Sequence, residues 1–226
     1  MSRSREAEGP PQLPIRLAVG LTLVAGGVGW FTNRAAIHAG WHFPSAGYLG
    51  AELVWAASTF GLLIWAVRRL DDRAIDFETV GLRATATTSR PGFPVALAII
   101  VGAAAFGVSA IVGSSATNGA TYGSVRQVGL GLAAAELLVR YPISVFVEEA
   151  FFRGWMQPRL GRYGPVLSAL LWAAWHLQQI STIPSLILFG LVLGFLRWWT
   201  GTIRVSGILH YLSNAAFFVS TYVVTT

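Results

Sequence analysis

The chain has 226 residues, 54% of them hydrophobic and only 12% charged, with a mean hydropathy of +0.59. Soluble domains carry about 25% charged residues, so the composition excludes an ordinary soluble protein and points to one compact polytopic membrane bundle. All 16 basic residues are arginine, and the net charge of +6 reads as arginines gathered in cytoplasmic loops rather than as a nucleic-acid footprint; cysteine is absent, which removes disulfides, thiol nucleophiles and thiolate ligands.

Residues 1–14 are polar and proline-containing and are expected to form a disordered cytoplasmic tail, with 15–226 a single transmembrane domain. The first apolar run, 17–31, reads as a retained span rather than a signal peptide, because no small-x-small cleavage site precedes Asn33-Arg34 and further spans follow. A second run covers 48–67. It is followed by the one strongly hydrophilic loop, RRLDDRAIDFETVGLR and on to Arg90. The third run is 93–113, ending in the small-polar SSATNGATYGS. The fourth starts near Val128, contains FVEEAFFRGWMQPR, and is stopped by Pro158, Gly161 and Gly164-Pro165. Runs at 166–180, 184–199 and 203–224 complete an all-α bundle of about seven spans.

With the N-terminus cytoplasmic, Arg3, Arg5, Arg16, Arg68, Arg69, Arg73, Arg83, Arg90, Arg153, Arg159, Arg162, Arg197 and Arg204 fall on or near the cytoplasmic side. Arg34 and Arg126 face out, and Arg140 lies within a span. Trp30, Trp41, Trp65, Trp198 and Trp199 sit near span ends, as interfacial aromatics do. No internal repeat supports an inverted-repeat transporter.

Ionisable groups inside spans are costly, and are turned inward, paired or functional. Here they are Glu52, Glu136, Arg140, Glu148, Glu149, His176 and His210, with Asn214 as a polar companion. Residues four apart share a helix face, so Arg140, Ser144 and Glu148 form one stripe with Glu136 above it. Glu149 and Arg153 form a second pair, in which Arg153 orients Glu149. Pro142 removes a backbone hydrogen bond and loosens this helix. His210 and Asn214 share a face of the last span. The turn between the fourth and fifth spans falls near residue 162, and Glu148/Glu149 and His176 each lie about 20 Å from it. His210 and Asn214 lie about 14 and 20 Å from the turn near Gly201. The five groups therefore reach one level and are expected to converge in an intramembrane pocket.

Two carboxylates, two imidazoles and an amide suit activation of water and attack on an amide bond. A buried carboxylate serves as base, alone or with a metal shared with histidine, and donors stabilise the oxyanion. The chain has no HExxH. Its nearest approach to GxSG, Arg204-Val205-Ser206-Gly207, has arginine in place of the first glycine, and every aspartate (Asp71, Asp72, Asp76) lies in the polar loop. The structural alternative for Glu148/Glu149 is an ion-pair cluster with Arg153 and Arg140 that locks the bundle. Glu136/Arg140 reads as an internal ion pair, Glu52 is open, and Gly26 and Gly29 read as helix-packing residues. His38 and His42 stand four apart in the outer loop with no third ligand.

EExxxR at Glu148, Glu149 and Arg153, a lone His176 in WAAWH, and HxxxN at His210 and Asn214 occur in that order on three spans across 128–220. This arrangement resembles the CPBP family of intramembrane proteases, which covers type II CAAX prenyl endopeptidases and bacteriocin-processing or self-immunity proteins. The family's second motif is usually FxxxH, and here Trp172 replaces the phenylalanine, an aromatic swap. The resemblance implies an eight-helix-like bundle with its site open toward the cytoplasm. It implies that Glu148 with His176 activates water and that His210 with Asn214 stabilises the oxyanion. The protein would be a multi-pass membrane endopeptidase, either glutamate-dependent or a zinc metalloprotease with His176, His210 and Glu148 as ligands. Its substrate would be a peptide or protein at the lipid bilayer, prenylated or not, with no nucleic acid involved. The alternatives are a non-catalytic immunity or scaffold protein of the same family, and a proton-coupled transporter using Glu148/Glu149.

Overall fold

The computed structural model of the chain describes residues 10–41, 43, 45–83, 129–176, 180 and 182–222, with side chains to residue 219. The third apolar run, the end of the polar loop with Arg90, and Arg126 and His42 lie outside the described residues. Those that are described form helices and no strand: α1 (Ile15–His38), α2 (Ala46–Leu70), α3 (Leu130–Arg159), α4 (Gly164–Trp175), α5 (Ile183–Thr200) and α6 (Ile203–Tyr222). Helices α1, α2, α3 and α5 are long and apolar enough to cross a membrane; the chain is an integral, multi-pass membrane protein. The fifth run, expected over 166–180, is shorter. Helix α4 has 12 residues, a rise of about 18 Å against a hydrocarbon core of about 30 Å, and ends where the His176 imidazole turns back on the helix's last carbonyls.

Helix α3 is the axis of the bundle. Every residue from Glu149 to Met156 is buried, the pattern of a helix packed on all sides. It is not uniformly α-helical: Glu136–Arg140 and Glu149–Met156 are π-helical, closed by bonds from the Tyr141 N–H to the Glu136 carbonyl and from the Gln157 N–H to the Phe152 carbonyl. Each stretch ends two residues before a proline, Pro142 and Pro158. Proline lacks an N–H and its ring crowds the carbonyl four residues back, so the widened turn absorbs a defect that would otherwise kink the helix.

Helices α1 and α2 form a hairpin whose second helix is capped by Ser45, its hydroxyl accepting from the Tyr48 N–H at 3.2 Å. The Trp55 indole crosses the interface and donates to the Ala25 carbonyl at 2.8 Å. A Cβ on Gly29 would run into the Trp55 ring, and one on Gly26 would come within 3.0 Å of the Trp175 carbonyl. Both glycines are packing residues, as expected, and Gly26 seats the end of α4.

The polar loop after α2 is a structural part of one pole. Asp71 accepts from the Trp155 indole at 2.9 Å and from Arg159 Nε at 3.1 Å, with Arg159 Nη2 on its other oxygen. Asp76 accepts the backbone N–H of Thr79 and then its hydroxyl, both at 2.7 Å, which holds its carboxyl below the usual carboxylate range. The next turn of the loop carries the buried Val80 against Gly154, and Gly81, at φ +76°, offers its carbonyl to the Ile203 N–H at 2.9 Å, at the start of α6. Leu13, expected within a disordered tail, is instead buried, and its N–H donates to the Arg159 carbonyl at 2.8 Å.

Gly154 has a backbone role. A Cβ there would collide with the Val80 carbonyl, so Gly154→Val is expected to destabilise the bundle by about 2–3 kcal/mol. Gly20→Ala on α1, where a Cβ meets nothing within 4 Å, should leave it unchanged. Thermal unfolding in detergent compares the two.

Candidate active site

The two adjacent glutamates leave α3 where the second π-helical stretch begins, and they take different partners. Glu148 Oε2 accepts from the Trp172 indole Nε1–H at 2.7 Å, and lies 4.0 Å from His176 Nε2 and 3.8 Å from His210 Nε2. Glu149 Oε1 lies 3.1 Å from His210 Nδ1 and 3.4 Å from Arg153 Nη1. Glu148, Glu149, Arg153, His176 and His210 are all buried.

The histidines are oriented by their other nitrogens. His176 ends α4, where the last carbonyls have no helical partner, and its Nδ1 stands 2.9 Å from the Trp172 carbonyl. A carbonyl only accepts, so Nδ1 carries the proton and Nε2 faces Glu148. His210 Nδ1 likewise donates to Glu149, again presenting Nε2 to Glu148. The two imidazoles, from α4 and α6, thus converge on one oxygen of a carboxylate from α3.

Arg153 is wholly buried, and none of its guanidinium nitrogens makes a hydrogen bond among the described residues. Its charge is held by the Glu149 ion pair and by the Trp172 face, with Cζ 4.5 Å from the ring centroid. A neighbouring cluster takes the other intramembrane charges. Arg140 pairs with Glu136 and, at 3.6 Å, with Glu52. Glu52 finds its place as the third member of that ion-pair cluster.

Of the sequence candidates, Glu148, Glu149, His176 and His210 meet, with Arg153 beside them. Asn214 is half-buried one turn beyond His210, with no described contact to the cluster. Sequence reading passed over Trp172 as a polar partner; the signal was an indole N–H one helical turn before His176. The zinc set fits poorly. Among the described residues no three His, Asp or Glu groups are arranged to hold a metal. The Glu148–imidazole separations of 3.8 and 4.0 Å exceed the spacing of about 3.4 Å between donors on a tetrahedral zinc. A metalloprotease is thus unsupported among the described residues; His42, the companion of His38, lies outside them.

Removing Arg153 would leave Glu149 buried without its cation. Arg153→Met is expected to cost about 3 kcal/mol, and adding Glu149→Gln should recover part of the loss; denaturant unfolding of both variants in detergent measures it.

Residues 130–216 match the family model described as type II CAAX prenyl endopeptidase Rce1-like. No curated protein and no solved structure matches the chain. The family is one of proteases, whose substrates are proteins at the membrane. The matched segment contains Glu148, Glu149, Arg153, His176, His210 and Asn214 in order, and over this segment the chain is similar to the Rce1-like type II CAAX prenyl endopeptidases.

Proposed function

We propose that the protein is an intramembrane endopeptidase that hydrolyses a peptide bond of a membrane-associated protein or peptide with a glutamate-activated water. The observation that carries this reading is the approach of two imidazole Nε2 atoms, at 4.0 and 3.8 Å, to one Glu148 oxygen. Those separations are too long for direct hydrogen bonds and suit a bridging water. Such a water gives one proton toward Glu148 and the other toward His176 Nε2, leaving a lone pair for the scissile carbonyl. Glu148 takes the proton as the C–O bond forms and returns it to the leaving amine as the C–N bond breaks. His210, oriented by Glu149 through Nδ1, and Asn214, one turn on, are the polar side chains placed to stabilise the developing oxyanion.

Arg16, Arg68, Arg69, Arg159, Arg162, Arg197 and Arg204 lie at the helix ends that meet the 71–83 loop. Their concentration supports a cytoplasmic placement of this pole and of the N-terminus. The family name makes a prenylated protein tail the first substrate to test, ahead of a peptide pheromone, a bacteriocin leader or another membrane protein.

Glu148→Ala and His176→Ala are each expected to lower cleavage by about 10²-fold or more while the protein remains folded in membranes; full activity in either would sink the assignment. Membrane peptides compared between cells carrying the wild type and Glu148→Ala should reveal the substrate as the species that accumulates uncut in the variant. A tag on the N-terminus should resist external protease in intact cells, and its digestion would reverse the topology.

A further inference from the structure

Two carboxylates occupy consecutive positions of α3, and one guanidinium, Arg153, lies within electrostatic reach of both. Flexible glutamates beside a single cation compete for it, so something must send one to Arg153 and keep the other away. Trp172 touches both sides of that choice. The edge of its indole donates to Glu148 at 2.7 Å, while its face lies 4.5 Å from Arg153 Cζ. It also stands edge-on to His176 and His210, with ring centroids 4.7 and 5.4 Å away, and its carbonyl accepts from His176 Nδ1. The indole itself has no room to turn: it is 1% exposed, and a Cβ on Gly190 of α5 would come within 3.1 Å of its Cε3.

We propose that Trp172 is the positioning residue that separates the roles of the two glutamates: its N–H fixes the Glu148 carboxylate between the imidazoles, and its face holds Arg153 against Glu149. The catalytic consequence rests on the protease reading above; the contacts do not. An indole N–H is a donor that exchanges no proton with a carboxylate. It therefore orders Glu148 without neutralising it and leaves the remaining lone pairs free to accept a proton from water. A phenylalanine here, as in the motif the sequence resembles, would supply the aromatic face without the donor. The swap at position 172 is therefore a change of chemistry as well as of size.

The test pairs Trp172→Phe, which keeps the face, with Trp172→Leu, which loses face and donor. Trp172→Phe is expected to lower kcat about tenfold, the effect of one hydrogen bond to a charged group, with KM within about twofold and a modest fall in melting temperature, smaller than that of Trp172→Leu. Trp172→Leu should show the same loss and also melt lower. An unchanged kcat in a folded Trp172→Phe protein would overturn the proposal, as would a rise in KM alone. A second measurement needs no activity. In a thermal double-mutant cycle in detergent, Trp172→Phe should be coupled to Glu148→Ala and additive with Glu149→Ala. Coupling to Glu149 instead, or to neither, overturns the positioning role. If the wild-type protein cleaves nothing while coupling to Glu148 is present, the protease reading falls and the indole–Glu148 contact stands.

Discussion

A charge buried in the middle of a membrane bundle has to be compensated within a few ångströms, because no solvent is at hand to do it. In this protein that requirement falls on one turn of α3. Glu148 and Glu149 bring two negative charges there and Arg153 one positive charge, all of them buried. Charge compensation alone would allow many arrangements. Stacking of Arg153 on Trp172 and the hydrogen bonds at both His Nδ1 atoms reduce them to one, in which Glu148 faces the imidazoles and Glu149 faces the cation.

The backbone of α3 is adapted to this load in two similar places. Each π-helical stretch begins at a glutamate, carries an arginine four residues on, and closes two residues before a proline. A widened turn loosens the α-helical repeat and rotates the next turn of the helix, so side chains that would stack along one face are redistributed around the axis. Around Glu149–Met156 this goes with burial of all eight residues. Such a turn needs neighbours on every side, and these come from α2, α4, α6 and the loop carrying Val80.

Much of the site was legible because depth along a helix follows from counting residues. Equal counts on either side of the turn near residue 162 put Glu148 and His176 at one level, and they lie 4.0 Å apart. The pairing of Glu136 with Arg140 was legible from their spacing, whereas Glu52 as a third member was not, since its contact joins separate helices. Hydropathy placed the end of the fifth run too late, because it cannot see a histidine ring capping its own helix at Trp175. Nor does a residue letter give the direction of an indole: Trp172 reads as an aromatic in grease until its N–H is found on Glu148. Gly154, one residue past the motif arginine, became intelligible only once the backbone at Val80 lay against it.

The segment that matches the protease family begins at residue 130, yet the site inside it is held partly from outside. Trp55 of α2 stacks on Trp175 at 4.0 Å between centroids and is itself fixed by the Ala25 carbonyl of α1, while Gly26 lets α1 close on the Trp175 backbone. Trp175 is the last residue of α4, so these contacts set where the helix stops and where the His176 ring begins. At the other pole, Asp71 clamps Trp155 and Arg159, and Gly81 anchors the first turn of α6, the helix that carries His210. The α1–α2 hairpin with its trailing loop therefore fixes the ends of the helices on which both histidines ride. Loss of a contact such as Trp55 on Trp175 would act on the proposed catalysis through the placement of His176, against whose ring both tryptophans pack.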